Sequence, residues 1–133
     1  MHAEFVIPGE CVGKQRPKAS FQQKRIYTPT ATINYENFVK HCYYGNPHFG
    51  DKQIAIDLSI YLPIPTSASK KKQAQMESGD IKPNKRPDID NCIKSILDGL
   101  NGVAYEDDKQ IIEIHARKLY GICPRVEAKL WSI

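Results

Sequence analysis

Residues 53–62 read QIAIDLSIYL, and this alternation limits the fold more than any other stretch. Ile54, Ile56, Leu58, Ile60 and Leu62 recur at every second position, so they share one face of an extended chain, and a second layer must cover that face. The intervening Gln53, Ala55, Asp57, Ser59 and Tyr61 suit a face that is less fully covered. Pro63 and Pro65 bring no backbone N–H, which ends the strand. Three other segments offer neighbours. Ala3, Phe5 and Ile7 alternate in residues 3–7 before Pro8 and Gly9. Residues 109–119 put Ile112, Ile114 and Ala116 on one face. Residues 125–133 put Val126, Ala128 and Leu130 on one face and Glu127, Lys129 and Trp131 on the other. The turn residues Gly121–Pro124 predict that these last two strands form a hairpin.

The covering layer comes from helices. Thr28 followed by Pro29 has the pattern of an N-cap and first helical residue. It predicts a helix over 29–44, with Tyr35, Phe38, Val39 and Cys42 on one stripe and Gly45, Asn46 and Pro47 closing it. In residues 90–101, Ile93, Ile96, Leu97 and Leu100 hold the i, i+3, i+4, i+7 spacing of one buried face, and Asn101-Gly102 stops the helix. Ser67 is expected to cap a short helix over 68–78 that has little apolar face and turns its lysines outward. Residues 13–29 read as a loop or loose hairpin, and 80–87 as a loop. The order β-α-β-α-α-β-β predicts one α+β domain over residues 1–133, a mixed sheet packed by helices. A chain of 133 residues is long enough for one such core.

No apolar run approaches the roughly 18 residues needed to span a bilayer. Glu4 and Pro8 interrupt any signal-peptide core, so a cytoplasmic protein is expected. Cys11, Cys42, Cys92 and Cys123 form no C-x-x-C pair and show no zinc spacing with His2, His41, His48 or His115, so free, mostly buried thiols are expected.

The net charge is only +4, and its distribution says more than its size. From Cys11 to Tyr35 there are five basic residues, Lys14, Arg16, Lys18, Lys24 and Arg25, and no acidic one. From Lys70 to Arg86 there are six, Lys70, Lys71, Lys72, Lys82, Lys85 and Arg86, against Glu77 and Asp80. Either run alone is compatible with a solvated surface. Both together, beside a carboxylate cluster, point to phosphate contacts. That cluster is Asp88, Asp90, Asp98, Glu106, Asp107 and Asp108, six of the fifteen acidic residues in a basic protein. Like charges gathered in this way need solvent or a cation among them.

Asp88 and Asp90 lie two apart and can point the same way. The next helix runs for about 12 residues, or roughly 18 Å, and residues 102–106 can return the chain toward the sheet. If Asp107 or Asp108 comes back to the first pair, three carboxylates converge on a site suited to Mg²⁺. Lys94 follows Asp90 by one helical turn. It is either a cation beside a scissile phosphate or a rung of an Asp90–Lys94–Asp98 ladder. Asp88 or Asp90 is equally able to cap the helix, and Asp107-Asp108 to form no more than a turn.

The longer string RPDIDNCIKSILDGLNGVAYEDDKQI resembles the signature of the RusA family of Holliday-junction resolvases. The pattern is PD-x-DN, a lysine three residues after the Asn, a D-x-L helix, and DD-x-Q before an apolar residue. Pro87-Asp88, Asp90-Asn91, Lys94, Asp98, Leu100, Asp107-Asp108, Gln110 and Ile111 match it. The N-terminal strand, the basic loop Lys14–Lys18, Tyr27-Thr28-Pro29 and the Pro65-to-Lys72 segment resemble the family more loosely. Cys92 departs from the usual aliphatic residue, and Pro83-Asn84-Lys85 lacks a histidine common in phage members.

The resemblance implies a RusA-like fold and an endonuclease that cuts four-way DNA junctions with Mg²⁺, with Mn²⁺ as the alternative ion. It implies a homodimer making symmetric paired nicks, with Asp88, Asp90 and Asp108 as metal ligands and Lys94 as the essential lysine. Asp107 is the alternative to Asp108 by one residue of register. A C2 dimer also suits a junction of near-twofold symmetry, with a sheet edge or the 29–44 helix as candidate interface. Lys14, Arg16, Lys18, Lys24, Arg25, Lys70, Lys71, Lys72, Lys85 and Arg86 are expected to contact phosphates rather than base edges. The rival classes are a branched-DNA-binding module that does not cut, and a metal-dependent hydrolase of a small phosphorylated substrate.

Overall fold

The computed structural model describes residues 1–133. Its strands are β1 (His2–Pro8), β2 (Lys18–Ser20), β3 (Arg25–Tyr27), β4 (Ile54–Pro63), β5 (Ile111–Gly121) and β6 (Arg125–Ser132). Its helices are α1 (Thr30–Tyr43), α2 (Lys70–Ser78) and α3 (Ile89–Leu100), and a 3₁₀ turn at Asp108–Gln110 precedes β5. The strands form a four-stranded mixed sheet in the order β1-β6-β4-β5, with β2 and β3 in a separate hairpin. The α+β expectation therefore holds, and the loose reading of residues 13–29 resolves into a loop followed by a hairpin. No helix is long and apolar enough to cross a membrane.

The alternating strand β4 takes an inner position, parallel to β5 and antiparallel to β6. The expected β5–β6 hairpin is therefore wrong. Ile54, Ile56, Leu58, Ile60, Leu62 and even Ala55 are buried, so both later strands gain more beside β4 than beside each other. Parallel β4 and β5 need a long crossover, which α2 and α3 supply. The chain then steps over the end of β4, where Pro63 lies opposite Gly121 and the strand stops. That step covers two strand spacings of roughly 4.8 Å each, within reach of a few extended residues.

β5 departs from expectation in a second way. Ile54 pairs with Ile111 and Ala55 with Glu113, so Ile112 is the extra residue of a bulge. Ile112 and Ile114 are exposed because β5 is an edge strand with a neighbour on one side only. Smaller corrections concern the helix starts. Pro29, not Thr28, is the N-cap of α1, and its buried stripe is Thr32, Tyr35, Val39 and Tyr43, with Phe38 exposed. Ser69, not Ser67, caps α2 by accepting the Lys72 N–H at 3.2 Å.

The core joins the inner face of the sheet to α1 and α3. The two helices cross tightly at Gly99, where a Cβ would lie 2.8 Å from Val39 Cβ and 3.0 Å from Glu36 O. Lys40 of α1 donates to Gly99 O at 2.8 Å, satisfying a carbonyl left free in the last turn of α3. Tyr105 donates to Leu97 O at 2.7 Å from beneath. Burial pushes the Tyr105 hydroxyl pKa up, so it stays a neutral donor. These contacts fix the direction of α3 and so the place of its acidic start. Cys11 and Cys92 are buried, Cys42 is half-buried and Cys123 is exposed, all as free thiols.

Candidate active site

Asp88 occupies the N-cap position of α3, at φ −66° and ψ 142°. Its side chain makes no cap hydrogen bond, so capping does not consume the carboxylate. The backbone starts the helix instead, with Asp88 O accepting from Cys92 N at 3.0 Å. Asp90 lies in the first turn, and its Oδ1 accepts the Asn91 N–H at 3.0 Å. Both carboxylates are exposed at the positive end of the helix dipole, which favours a carboxylate or a phosphate oxygen there.

Asp88 and Asp90 line an open cleft of about 870 Å³ together with residues 12–18, Arg86, Pro87 and Asn91. The loop that forms the opposite wall is stitched to the helices. Lys14 N donates to Asn91 O at 2.8 Å, and Gln15 N to Thr32 Oγ1 at 3.3 Å. At Gly13 a Cβ would sit 3.2 Å from Asn91 Cβ and 3.3 Å from Pro87 Cβ, so a glycine lets the loop lie this close. Arg16, Lys18 and Arg86 therefore face the same space as Asp88 and Asp90.

Lys94 does not turn back to Asp90. Its ammonium pairs with Asp98 Oδ1 at 3.1 Å and Asp108 Oδ2 at 3.4 Å. The hydrogen bond that Lys94 donates to Asp98, outweighing partial burial and helped by Asp108, raises the Lys94 pKa, so the group is a cation and no base. The other oxygen of Asp98 takes Lys14 at 3.1 Å, and Lys14 also pairs with Glu36. Burial alone would lower the Lys14 pKa, but these two carboxylates raise it. Lys14 is thus held by two carboxylates of the protein at the edge of the cleft.

Asp107 and Asp108 have different duties. Asp107 caps the 3₁₀ turn in a reciprocal box with Gln110. Gln110 Oε1 accepts the N–H groups of Glu106 and Asp107, each at 2.9 Å, and its Nε2 donates to Gly50 O and Lys52 O, each at 2.8 Å. The turn is pinned to the loop before β4, and Asp108 is left to meet Lys94. Gln110 was legible only as a letter of the motif, although the D-x-x-Q capping pattern carries its role.

The structure thus brings Asp88 and Asp90 to one cleft and Asp108 to Lys94. No group of three or more His, Cys, Asp or Glu side chains has the spacing of a metal cage. The remaining basic residues named from sequence lie apart. Lys24 and Arg25 are exposed in the β2–β3 hairpin beside Phe21, which is 94% exposed. Lys70, Lys71 and Lys72 are exposed on α2, and Lys85 lies 5.5 Å from the centre of the Tyr120 ring. Cys92 is fully buried in the first turns of α3, so the small thiol fills a core position.

The sequence matches the family described as Endodeoxyribonuclease RusA over residues 8–130. The chain belongs to the RusA endodeoxyribonuclease family. A Bacillus subtilis (strain 168) relative named Uncharacterized protein YqaN is 30% identical over 138 residues, covering 98% of this chain and 96% of that protein. The RusA-family match spans both walls of the cleft and the Asp108 turn. The family's activity is that of an endodeoxyribonuclease, an enzyme that cleaves DNA.

Proposed function

We propose that this RusA-family chain is a Mg²⁺-dependent endonuclease that resolves four-way DNA junctions by symmetric paired nicks, acting as a homodimer. The observation that carries the reading is the placement of two carboxylates without an ion-pair partner, Asp88 and Asp90, on one cleft with Arg16, Lys18 and Arg86. Mg²⁺ keeps several waters and takes one or two carboxylates plus substrate phosphates, so this all-oxygen pair fits it without a closed cage. Asp88 and Asp90 would hold the ion, with Asp108 as the third carboxylate, and Mn²⁺ would suit the same ligands. A cation bound there neutralises phosphate charge and makes water a better nucleophile.

The chain's own residues divide the remaining work. Lys94 stays protonated and stabilises negative charge developing on the phosphate. Arg16, Lys18 and Arg86 neutralise flanking phosphates and set the strand's register. Phe21, with Lys24 and Arg25 beside it, offers a flat apolar face on which an unpaired base at the crossover can stack. A twofold dimer places two clefts on two equivalent strands. Exposed Ile33 and Phe38 of α1, and Ile112 and Ile114 of the β5 edge, are its candidate interfaces.

A module that only held DNA would gain nothing from bare carboxylates that repel phosphate. A small-substrate hydrolase would leave the breadth of the cleft and the exposed hairpin without a use. The test is a denaturing gel of a mobile four-way junction and a linear duplex of the same sequence, with and without Mg²⁺. Paired nicks at symmetric positions, on the junction alone and only with Mg²⁺, are expected. Tight junction binding without cutting would favour the binding module, and neither binding nor cutting would favour the small-substrate hydrolase.

A further inference from the structure

Lys118 of β5 pairs with Ile60 across the parallel ladder, on the face of the sheet that the helices cover. Its neighbours on that face, Ala116 and Tyr120, are partly buried against the core. A half-buried lysine normally pairs with a carboxylate or extends its ammonium to water. Lys118 makes no ion pair. Its Nζ donates instead to two main-chain carbonyls, those of Lys85 and of Pro87, the latter at 3.0 Å. Two residues along, the Tyr120 ring receives the ammonium of Lys85 at 5.5 Å. β5 thus grips residues 85–87 at two points, and the next residue is Asp88.

The grip has a charge as well as a geometry. Two carbonyls take two of the ammonium's three donors, but they leave its unit charge without a counter-ion. The carboxylate at the start of α3 is close by. Pro87, whose carbonyl accepts from Lys118, is the residue directly before Asp88. Lys94, by contrast, already has its carboxylates.

We propose that Lys118 is a positioning residue for the acidic end of α3: it fixes residues 85–87, so aims Asp88 into the cleft, and supplies a resident cation beside the carboxylate pair. Its effect on cutting rests on the endonuclease reading above, whereas the grip on the loop does not.

The test uses Lys118→Met, which keeps the length and removes charge and donors, and Lys118→Arg, which keeps both. Lys118→Gln replaces the first if that chain fails to fold. Three quantities are measured: junction affinity without divalent metal, single-turnover cutting with Mg²⁺, and amide hydrogen exchange in residues 84–92. K118M is expected to bind junctions within about twofold of wild type and to cut about 10–100-fold more slowly, the usual cost of losing an outer-shell partner. Exchange should quicken at the start of α3 alone, and K118R should recover most of the rate. Wild-type exchange and cutting in K118M would overturn the proposal, as would a loss confined to binding. If the wild-type protein cuts nothing, the nuclease reading fails. Exchange then decides the grip by itself: faster exchange in K118M upholds it, and unchanged exchange overturns it.

Discussion

The loop at residues 12–18 and helix α2 each present a run of basic side chains, and the fold treats them differently. The loop is hydrogen-bonded to α3 through Lys14 N and to α1 through Gln15 N, and it closes on Pro87 and Asn91 at Gly13. Arg16 and Lys18 therefore keep a fixed position relative to Asp88 and Asp90. α2 has no buried residue, and Lys70, Lys71 and Lys72 have no acidic partner. Charge fixed to the frame of the carboxylates can set where a phosphate lies. Charge on a solvated face raises the local concentration of DNA without choosing its register.

The sharpest way to break this contrast is at the fixed end. Asp88→Asn should slow cutting by about 10²–10³-fold or more, the scale of losing one preorganised electrostatic group. Junction affinity should stay equal or tighten, because a charge that repels phosphate is gone. Single-turnover cutting and a metal-free gel shift read the two effects separately. Wild-type cutting in the mutant would remove Asp88 from the machinery. Next in size is the pair Arg16→Glu and Lys18→Glu. It should weaken junction binding and reduce the slope of log affinity against log salt by about two, one per lost phosphate contact. An unchanged slope would mean that the loop does not touch the backbone.

These two predictions draw on what was legible in sequence, and other parts of the molecule were not legible. β4 and α3 stood out because period 2 and period 3.6 are local properties of short strings. Helix starts slipped by one or two residues at Pro29 and Ser69, where neighbouring residues compete for the cap. The sequence pointed wrongly to a β5–β6 hairpin because a turn signal is local, while the choice of β4 as shared partner depends on burial across the whole sheet. The bulge at Ile112 has no sequence mark of its own. In the site, the Asp-rich string announced the carboxylates, and the D-x-x-Q pattern contained the anchor at Gln110. Glu36, which lies far from that string in sequence, pairs with Lys14 only after α1 crosses α3. Lys118 likewise meets Pro87 only when β5 docks beside β4.

A third prediction joins the fixed loop to the helix. Asp98 holds Lys94 with one oxygen and Lys14 with the other. Asp98→Asn keeps the shape and removes the charge, so the rate should fall by about tenfold, as for an outer-shell partner. The Asp98 hydrogen bond is the leading cause that raises the Lys94 pKa, so its loss lowers that pKa. Any alkaline fall in cutting caused by loss of the Lys94 proton should then begin at lower pH in the mutant. A pH–rate profile with an alkaline limb that stays in place would mean that the charge of Lys94 is not what the reaction uses.

The smallest effect is expected on α2, and it is the one that isolates diffuse charge. Lys70→Glu, Lys71→Glu and Lys72→Glu together change the first turn of a helix capped by Ser69. Acidic residues suit that positive end of the dipole, so the reversal should not unfold the helix. Any loss then reports on DNA alone. Affinity should fall at low salt and the salt dependence should flatten, while the cutting rate at saturating junction stays at the wild-type value. Near 1 M salt the Debye length is about 3 Å, so the affinities of mutant and wild type should converge there. An unchanged affinity and slope would take α2 out of the DNA footprint. A fall in the saturated rate would mean that these lysines also set the register of the strand, and the distinction between fixed and diffuse charge would fail.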